Sequence, residues 1–167
     1  MPCVIYNNVP FSLGQEDHTG LSGTAPFRAR GIRKRKALTR LIFGVGTDII
    51  EVERIESKLD RTGGLKQKLF TAREIAYCES KSRPAMHFAA RFAAKESFLK
   101  AMGTGWTGGH RFDEIEIVNN ALGKPELFIH GKVREFCDAH GITGMEASLS
   151  HIKDLAKAIV VLEKAAP

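Results

Sequence analysis

The sequence is poor in the features that most quickly mark a function class. Its 167 residues include one tryptophan, two tyrosines and three cysteines. Cys3, Cys78 and Cys137 are odd in number, far apart and without a CxxC pair. They read as reduced thiols of a cytosol-like compartment, not as a disulfide or zinc framework. The six histidines show no HExxH or HxH spacing, so the sequence gives no support for a zinc site. No apolar run approaches the ~20 residues needed to cross a bilayer. The N-terminus lacks a basic stretch followed by an apolar one, which argues against a secretory signal. No internal repeat is evident. What is present is ordinary for a globular chain, with 43% hydrophobic and 26% charged residues, and the length suits one domain with an ample core.

The net charge of +6 belongs mostly to one end. Residues 1–40 hold seven basic residues (Arg28, Arg30, Arg33, Lys34, Arg35, Lys36 and Arg40) against Glu16 and Asp17, leaving 18 basic and 17 acidic residues in the other 127. The folded part is therefore nearly balanced, which weakens any case for nucleic-acid binding. Residues 1–40 show neither helical nor strand periodicity and are expected to be disordered. Three origins compete for them: an organelle-targeting segment, a basic arm for an acidic partner, and an over-long gene model. The third is favoured, because the domain pattern begins abruptly near Leu41 and no methionine lies between Met1 and Met86.

From Leu41 the pattern is clear. LIFGVGTDII (Leu41–Ile50) is a β-rich strand, apolar on both faces, and Gly44 and Gly46 point to close backbone packing. A helix follows over Glu51–Leu59 with Val52, Ile55 and Leu59 on one side. Gly63–Gly64 breaks the chain, and Leu65–Phe70 is a short helical turn. Thr71 and Glu74 form a capping-box pattern that opens a helix to about Ser80. Pro84 suits the start of a long helix running to Met102, in which Phe88, Phe92, Leu99 and Met102 recur at helical spacing. EIEIV (Glu114–Val118) alternates as a half-buried strand. A Gly123–Pro125 turn leads to a strand at Glu126–Ile129. A helix over Lys132–His140 ends at Gly141. Strands at Glu146–His151 and Ala156–Leu162 close the chain, placed to pair as a hairpin. This order, without regular βαβ alternation, predicts an α+β fold with a mainly antiparallel sheet packed against the long helix.

Two carboxylates sit where acids are unexpected. Glu96 falls inside the apolar stripe of the long helix, and Lys100 follows it by one turn. The helix then runs into Gly103, Gly105, Gly108 and Gly109, which free backbone N–H groups to approach a ligand. Asp48 lies among Val45, Ile49 and Ile50, where a buried carboxylate needs a partner, a hydrogen bond or a metal. For a lone strand-end Asp, the competing role is a cap for the next helix. Gly103-x-Gly105-x-x-Gly108 matches a dinucleotide fingerprint by letter but follows a helix instead of a strand, so a Rossmann site is rejected. A glycine loop cradling the phosphates of another nucleotide stays open. Asp48 and Glu96 could share a hard cation such as magnesium, with phosphate and water completing its shell. Lys100 could then hold a phosphate or a developing negative charge. His151, beside Ser150, is either a ligand contact or a histidine packed at a strand end.

Four blocks carry a family resemblance: GVGTDIIEVERI (Gly44–Ile55), RFAAKESFLKAMGTG (Arg91–Gly105), EIEIVNNALGKPEL (Glu114–Leu127) and ASLSHIKDLAKAIVV (Ala147–Val161). In that order and spacing, residues 41–167 closely resemble holo-acyl-carrier-protein synthase, the small trimeric type of 4′-phosphopantetheinyl transferase. The resemblance implies transfer of phosphopantetheine from coenzyme A to a serine of apo acyl carrier protein for fatty acid biosynthesis, in the cytoplasm. It places Asp48 and Glu96 on Mg²⁺, with Mn²⁺ as a substitute, and Lys100 on the pyrophosphate. Arg91, Gly103, Gly105, Ser150 and His151 would line the coenzyme A site, and Arg54 would meet the acidic carrier. It also implies a homotrimer with its clefts between subunits. Two departures stand out: the 40-residue extension, and Leu155 where many relatives carry an aromatic. Other readings remain open at this level. One is a transferase acting on carrier domains of polyketide or peptide synthases, and the other is a non-catalytic module binding through Arg28–Arg40.

Overall fold

A computed structural model describes residues 40–105 and 109–166. The expected disorder of residues 1–40 therefore falls, except for Arg40, outside the described residues. Element order is β1 (Arg40–Glu51), α1 (Val52–Arg61), α2 (Leu65–Leu69), α3 (Ala72–Glu79), α4 (Pro84–Met102), β2 (Ile115–Asn119), β3 (Pro125–Ile129), α5 (Gly131–Ala139), β4 (Ile142–His151) and β5 (Leu155–Ala165). β1, β5 and β4 form an antiparallel sheet in that order, and β2 and β3 form a separate antiparallel hairpin. The closing pair is a hairpin as expected, but β5 is the central strand, bonded on both sides. No helix among the described residues is long and apolar enough to cross a membrane.

The long helix is the axis of the fold. Pro84 occupies its first turn, where a missing N–H is harmless, and Gly103 ends it in the left-handed conformation at φ 74°. Alanines at 89, 90, 93, 94 and 101 favour the helix and are small enough for other elements to pack closely on several sides. Twelve of its 19 residues are buried, so the helix is wrapped nearly all round and is not the one-sided amphipathic element that its phenylalanine spacing predicts. Phe98 and Leu99 are buried within it, each worth about 1.5–3 kcal/mol of apolar transfer.

The three-stranded sheet lies on α4 through its smallest residues. A Cβ on Gly44 would fall 2.0 Å from the Ala101 carbonyl oxygen, and one on Gly46 1.9 Å from that of Ser97. Ala156, Ala158 and Val160 of β5 continue this inner face. The outer face is bare: Val45 is 53% exposed, Ile49 61% and Ile159 41%. β1 is thus apolar on both faces, but within one chain only one of them is covered.

The smaller elements hang on polar struts. Thr71 and Glu74 form the capping box at α3. Glu74 is fully buried and also accepts from Lys95 Nζ at 2.7 Å and from the Ile117 amide at 3.1 Å. Lys95, on α4 and equally buried, spends its other two donors on the carbonyls of Phe112 and Ile115. One ammonium therefore ties α3, α4 and the start of β2 together. β2 departs from its expected alternation, because Ile115, Glu116 and Ile117 are all buried. Glu116 is held by Thr71 Oγ1 at 2.6 Å and by Arg73 at 3.2 Å.

Candidate active site

Because glycine lets β1 lie backbone to backbone on α4, Asp48 reaches the last turns of the helix. Its Oδ1 accepts from Lys100 Nζ at 2.8 Å, and the same ammonium donates to the Thr47 carbonyl at 3.1 Å. Asp48 is no helix cap; Glu51 occupies that position, without a side-chain bond. Glu96, one turn before Lys100, is half-buried and lines with Asp48 a cavity of about 350 Å³. Ile50, Ile55, Leu69 and Phe92 give this cavity apolar walls, and Arg54 and Lys58 stand on the α1 side. The arrangement is an acidic floor under a basic rim, suited to an anion that brings its own cation.

The donor set fits a hard divalent ion. Two carboxylates are the oxygen ligands that Mg²⁺ takes, and they leave coordination positions for phosphate and water. Asp48 already draws a cationic head group to its oxygen. Among the described residues no three His, Cys, Asp or Glu converge on one point. Beyond Lys100 the backbone turns at Gly103 and Gly105, with φ 74° and 53° and open space where a Cβ would stand. Gly108 lies outside the described residues.

The remaining expected site residues form a second cluster. His151 sits at the end of β4, its ring 5.1 Å from that of His87 near the start of α4, and His87 in turn packs edge-on against Tyr77. Burial, with the nearby positive charge of His151, Arg91 and Lys81, pushes His87 down to about 4, and burial lowers His151 as well. Nδ1 of His151 is buried without a hydrogen-bond partner. Arg91 is itself buried, with its guanidinium 4.1 Å from the Tyr77 ring centroid and bonded to Asn119 Oδ1 at 2.6 Å. Ser150 is exposed beside His151. None of Arg91, Ser150 or His151 lines the Asp48–Glu96 cavity. His87 and Glu96 are nine residues apart, roughly 13 Å along the helix. A larger depression of about 880 Å³ opens near the start of α4, lined by Glu51, Glu53, Glu56, Arg83, Lys153 and Asp154 among others. Its lining mixes acidic and basic residues and includes none of the expected site residues.

Two groups escaped the sequence reading. His87 lies on the apolar helix without any motif. Lys95 stands immediately before Glu96, yet points into the core while its neighbour faces the cavity. The thiols of Cys78 and Cys137 are buried and pushed up to about 11 chiefly by burial, so both are protonated at neutral pH.

The fold and this pair of carboxylates define a class. A family model for the 4′-phosphopantetheinyl transferase superfamily matches residues 44–160. A holo-[acyl-carrier-protein] synthase from Geotalea daltonii is 46% identical over 125 residues, covering 74% of this chain and 100% of that protein. The crystal structure of holo-[acyl-carrier-protein] synthase from Neisseria meningitidis superposes with a TM-score of 0.68 at 37% identity, over 74% of this chain and all of that one. A Bacillus anthracis holo-(acyl-carrier-protein) synthase, solved in complex with CoA (3′,5′-ADP), superposes with a TM-score of 0.61 at 36% identity, over 74% and 98% of the two chains. The chain belongs to the holo-[acyl-carrier-protein] synthase family.

Proposed function

We propose that this chain transfers the 4′-phosphopantetheine group of coenzyme A to a serine of an apo acyl carrier protein, for fatty acid synthesis, releasing adenosine 3′,5′-bisphosphate. The observation that carries the reading is that Asp48 and Glu96 line one cavity while Lys100 is bonded to Asp48. In the transfer, the serine oxygen bonds to the β-phosphorus, the bond from that phosphorus to the bridging oxygen breaks, and the bisphosphate leaves with the electron pair. Catalysis of such a step is mainly positioning and charge neutralisation.

Asp48 and Glu96 are the residues that would hold a divalent ion, Mg²⁺ with Mn²⁺ as substitute. When bound, that ion neutralises charge on the diphosphate and its leaving oxygen. Lys100 sets its ammonium against the same diphosphate. Glu96 also orients the serine hydroxyl or takes its proton. Gly103 and Gly105, with open space where a Cβ would stand, leave room for phosphate oxygens to approach the backbone. Arg54, on the basic rim, faces the acidic carrier.

Ser150, His151 and Arg91 are assigned to the nucleotide end of coenzyme A. Their absence from the lining of the Asp48–Glu96 cavity within one chain fits a site shared by adjacent subunits. The bare apolar face of β1 and β5 offers the surface for a homotrimer, since exposed Val45, Ile49 and Ile159 would be covered there. In this reading residues 41–167 are the transferase unit, working in the cytoplasm, and residues 1–40 lie outside it.

Incubation with apo acyl carrier protein, coenzyme A and Mg²⁺ should add one phosphopantetheine mass to the carrier, and Glu96→Gln should nearly abolish that gain while leaving the fold intact. The same gain from a chain lacking residues 1–40 separates a transferase from a module that binds through its basic arm. Full activity in Glu96→Gln would overturn the assignment.

A further inference from the structure

Lys100 is not idle when its ammonium rests on Asp48. It takes one of the two oxygens of a carboxylate that would hold a divalent ion, and it takes the Thr47 carbonyl beside it. The Asp48 side chain is 17% exposed while that of Lys100 is 50% exposed, so the acid is fixed in the wall and the lysine reaches in from solvent. An ammonium and a divalent ion on the same carboxylate repel each other, so the two compete for Asp48.

We infer that Lys100 is a built-in placeholder for the cation, and that it couples entry of the divalent ion to entry of the diphosphate. This rests on the assignment of Asp48 and Glu96 as the ion's ligands. A divalent ion arriving alone competes with Lys100 for Asp48 and weakens the ammonium's hold on its anionic partner. Arriving with a diphosphate, it displaces the same ammonium onto phosphate oxygens, and no charge is stranded. The tether favours the exchange: Lys100 lies three residues before the end of the helix at Gly103, and its side chain is half-exposed. The protein therefore binds the ion poorly without substrate and well with it. By linkage, the ion improves diphosphate binding by the same factor.

The test is calorimetric titration of Mn²⁺ into the full chain, with and without coenzyme A and with no carrier protein present, so nothing turns over. In the wild type, coenzyme A should tighten Mn²⁺ binding by at least tenfold. In Lys100→Met, Mn²⁺ alone should bind at least fivefold more tightly than in the wild type, and the gain from coenzyme A should be correspondingly smaller than in the wild type. Equal or weaker binding of Mn²⁺ alone by Lys100→Met overturns the inference, as does an unchanged gain from coenzyme A. Asp48→Asn separates this failure from that of the site itself. If Mn²⁺ binding in the presence of coenzyme A ignores Asp48→Asn, the ligand assignment falls. If Asp48→Asn abolishes binding while Lys100→Met does not tighten it, only the placeholder falls. Lys100→Gln, which keeps the helix and loses the charge, should behave as Lys100→Met.

Discussion

Gly46→Ala is the sharpest probe of how β1 is seated. The added methyl carbon would lie 1.9 Å from the Ser97 carbonyl oxygen and 2.7 Å from the Ala101 nitrogen. Both are backbone atoms of a helix packed on several sides, so no flexible group can give way. Ordinary contact begins near 3.4 Å, and 3.4 less 1.9 leaves roughly 1.5 Å that the strand must withdraw. Overpacking of this kind costs about 1–3 kcal/mol, and a backbone obstacle puts Gly46 at the upper end. At about 3–5 °C per kcal/mol for a domain of this size, the melting temperature should fall by roughly 10 °C. Asp48, two residues further on the same face, moves with the strand. A displacement of about 1 Å at a reacting site costs on the order of 100-fold, so carrier loading should drop by that factor at temperatures where the variant is still folded. Gly63→Ala is the control. Nothing lies within 4 Å of its new Cβ, and the substitution should be neutral or stabilising by up to about 1 kcal/mol. Melting is followed by circular dichroism and loading by intact mass. A Gly46→Ala protein that melts within 2 °C of wild type (roughly the effect of a neutral substitution) and loads carrier at full rate would refute this account of the β1–α4 contact.

Two further outcomes follow from the buried groups. Lys95→Met leaves the Glu74 carboxylate buried and without its counter-charge, and strips the Phe112 and Ile115 carbonyls of a donor. It should cost about 3–5 kcal/mol in urea unfolding, and a loss below 1 kcal/mol would contradict the tie between α3, α4 and β2. His87, held down to about 4 by burial, stays neutral in the folded chain while the unfolded imidazole protonates near 6.5. As pH falls from 6.5 towards about 4 the unfolded state takes up a proton that the folded state refuses, so stability declines through that window and His87 adds no slope above it. His87→Phe keeps a ring against Tyr77 and His151 and removes the titration. The difference between the two stability–pH curves should reach at most about 3 kcal/mol, and parallel curves would rule the assignment out.

Local signals carried most of the architecture. Pro84 and Gly103 bracket the long helix, Thr71 and Glu74 open α3, and Gly141, with φ 66°, follows α5. Each of these is a contact or a dihedral within a few residues, which letters can encode. What stayed hidden depends on distant partners. Glu74 meets Lys95 across 21 positions, and Asp48 meets Lys100 across 52. The alternation of EIEIV reads as half-exposed, yet Glu116 is buried because Thr71 and Arg73 arrive from α3 to satisfy it. Phe88, Phe92, Leu99 and Met102 trace a stripe, but no stripe reveals that the opposite face is covered too. The awkward positions of Asp48 and Glu96 were visible in sequence, whereas the cavity they share was not.

The central claim, that Asp48 and Glu96 grip one ion together with a diphosphate, is tested most directly by crystals grown with coenzyme A and Mn²⁺ and measured for anomalous scattering. The account predicts a single anomalous peak within about 2.5 Å of a carboxylate oxygen from each residue and of the diphosphate. A peak that contacts neither carboxylate, in a crystal where coenzyme A is bound, would contradict it.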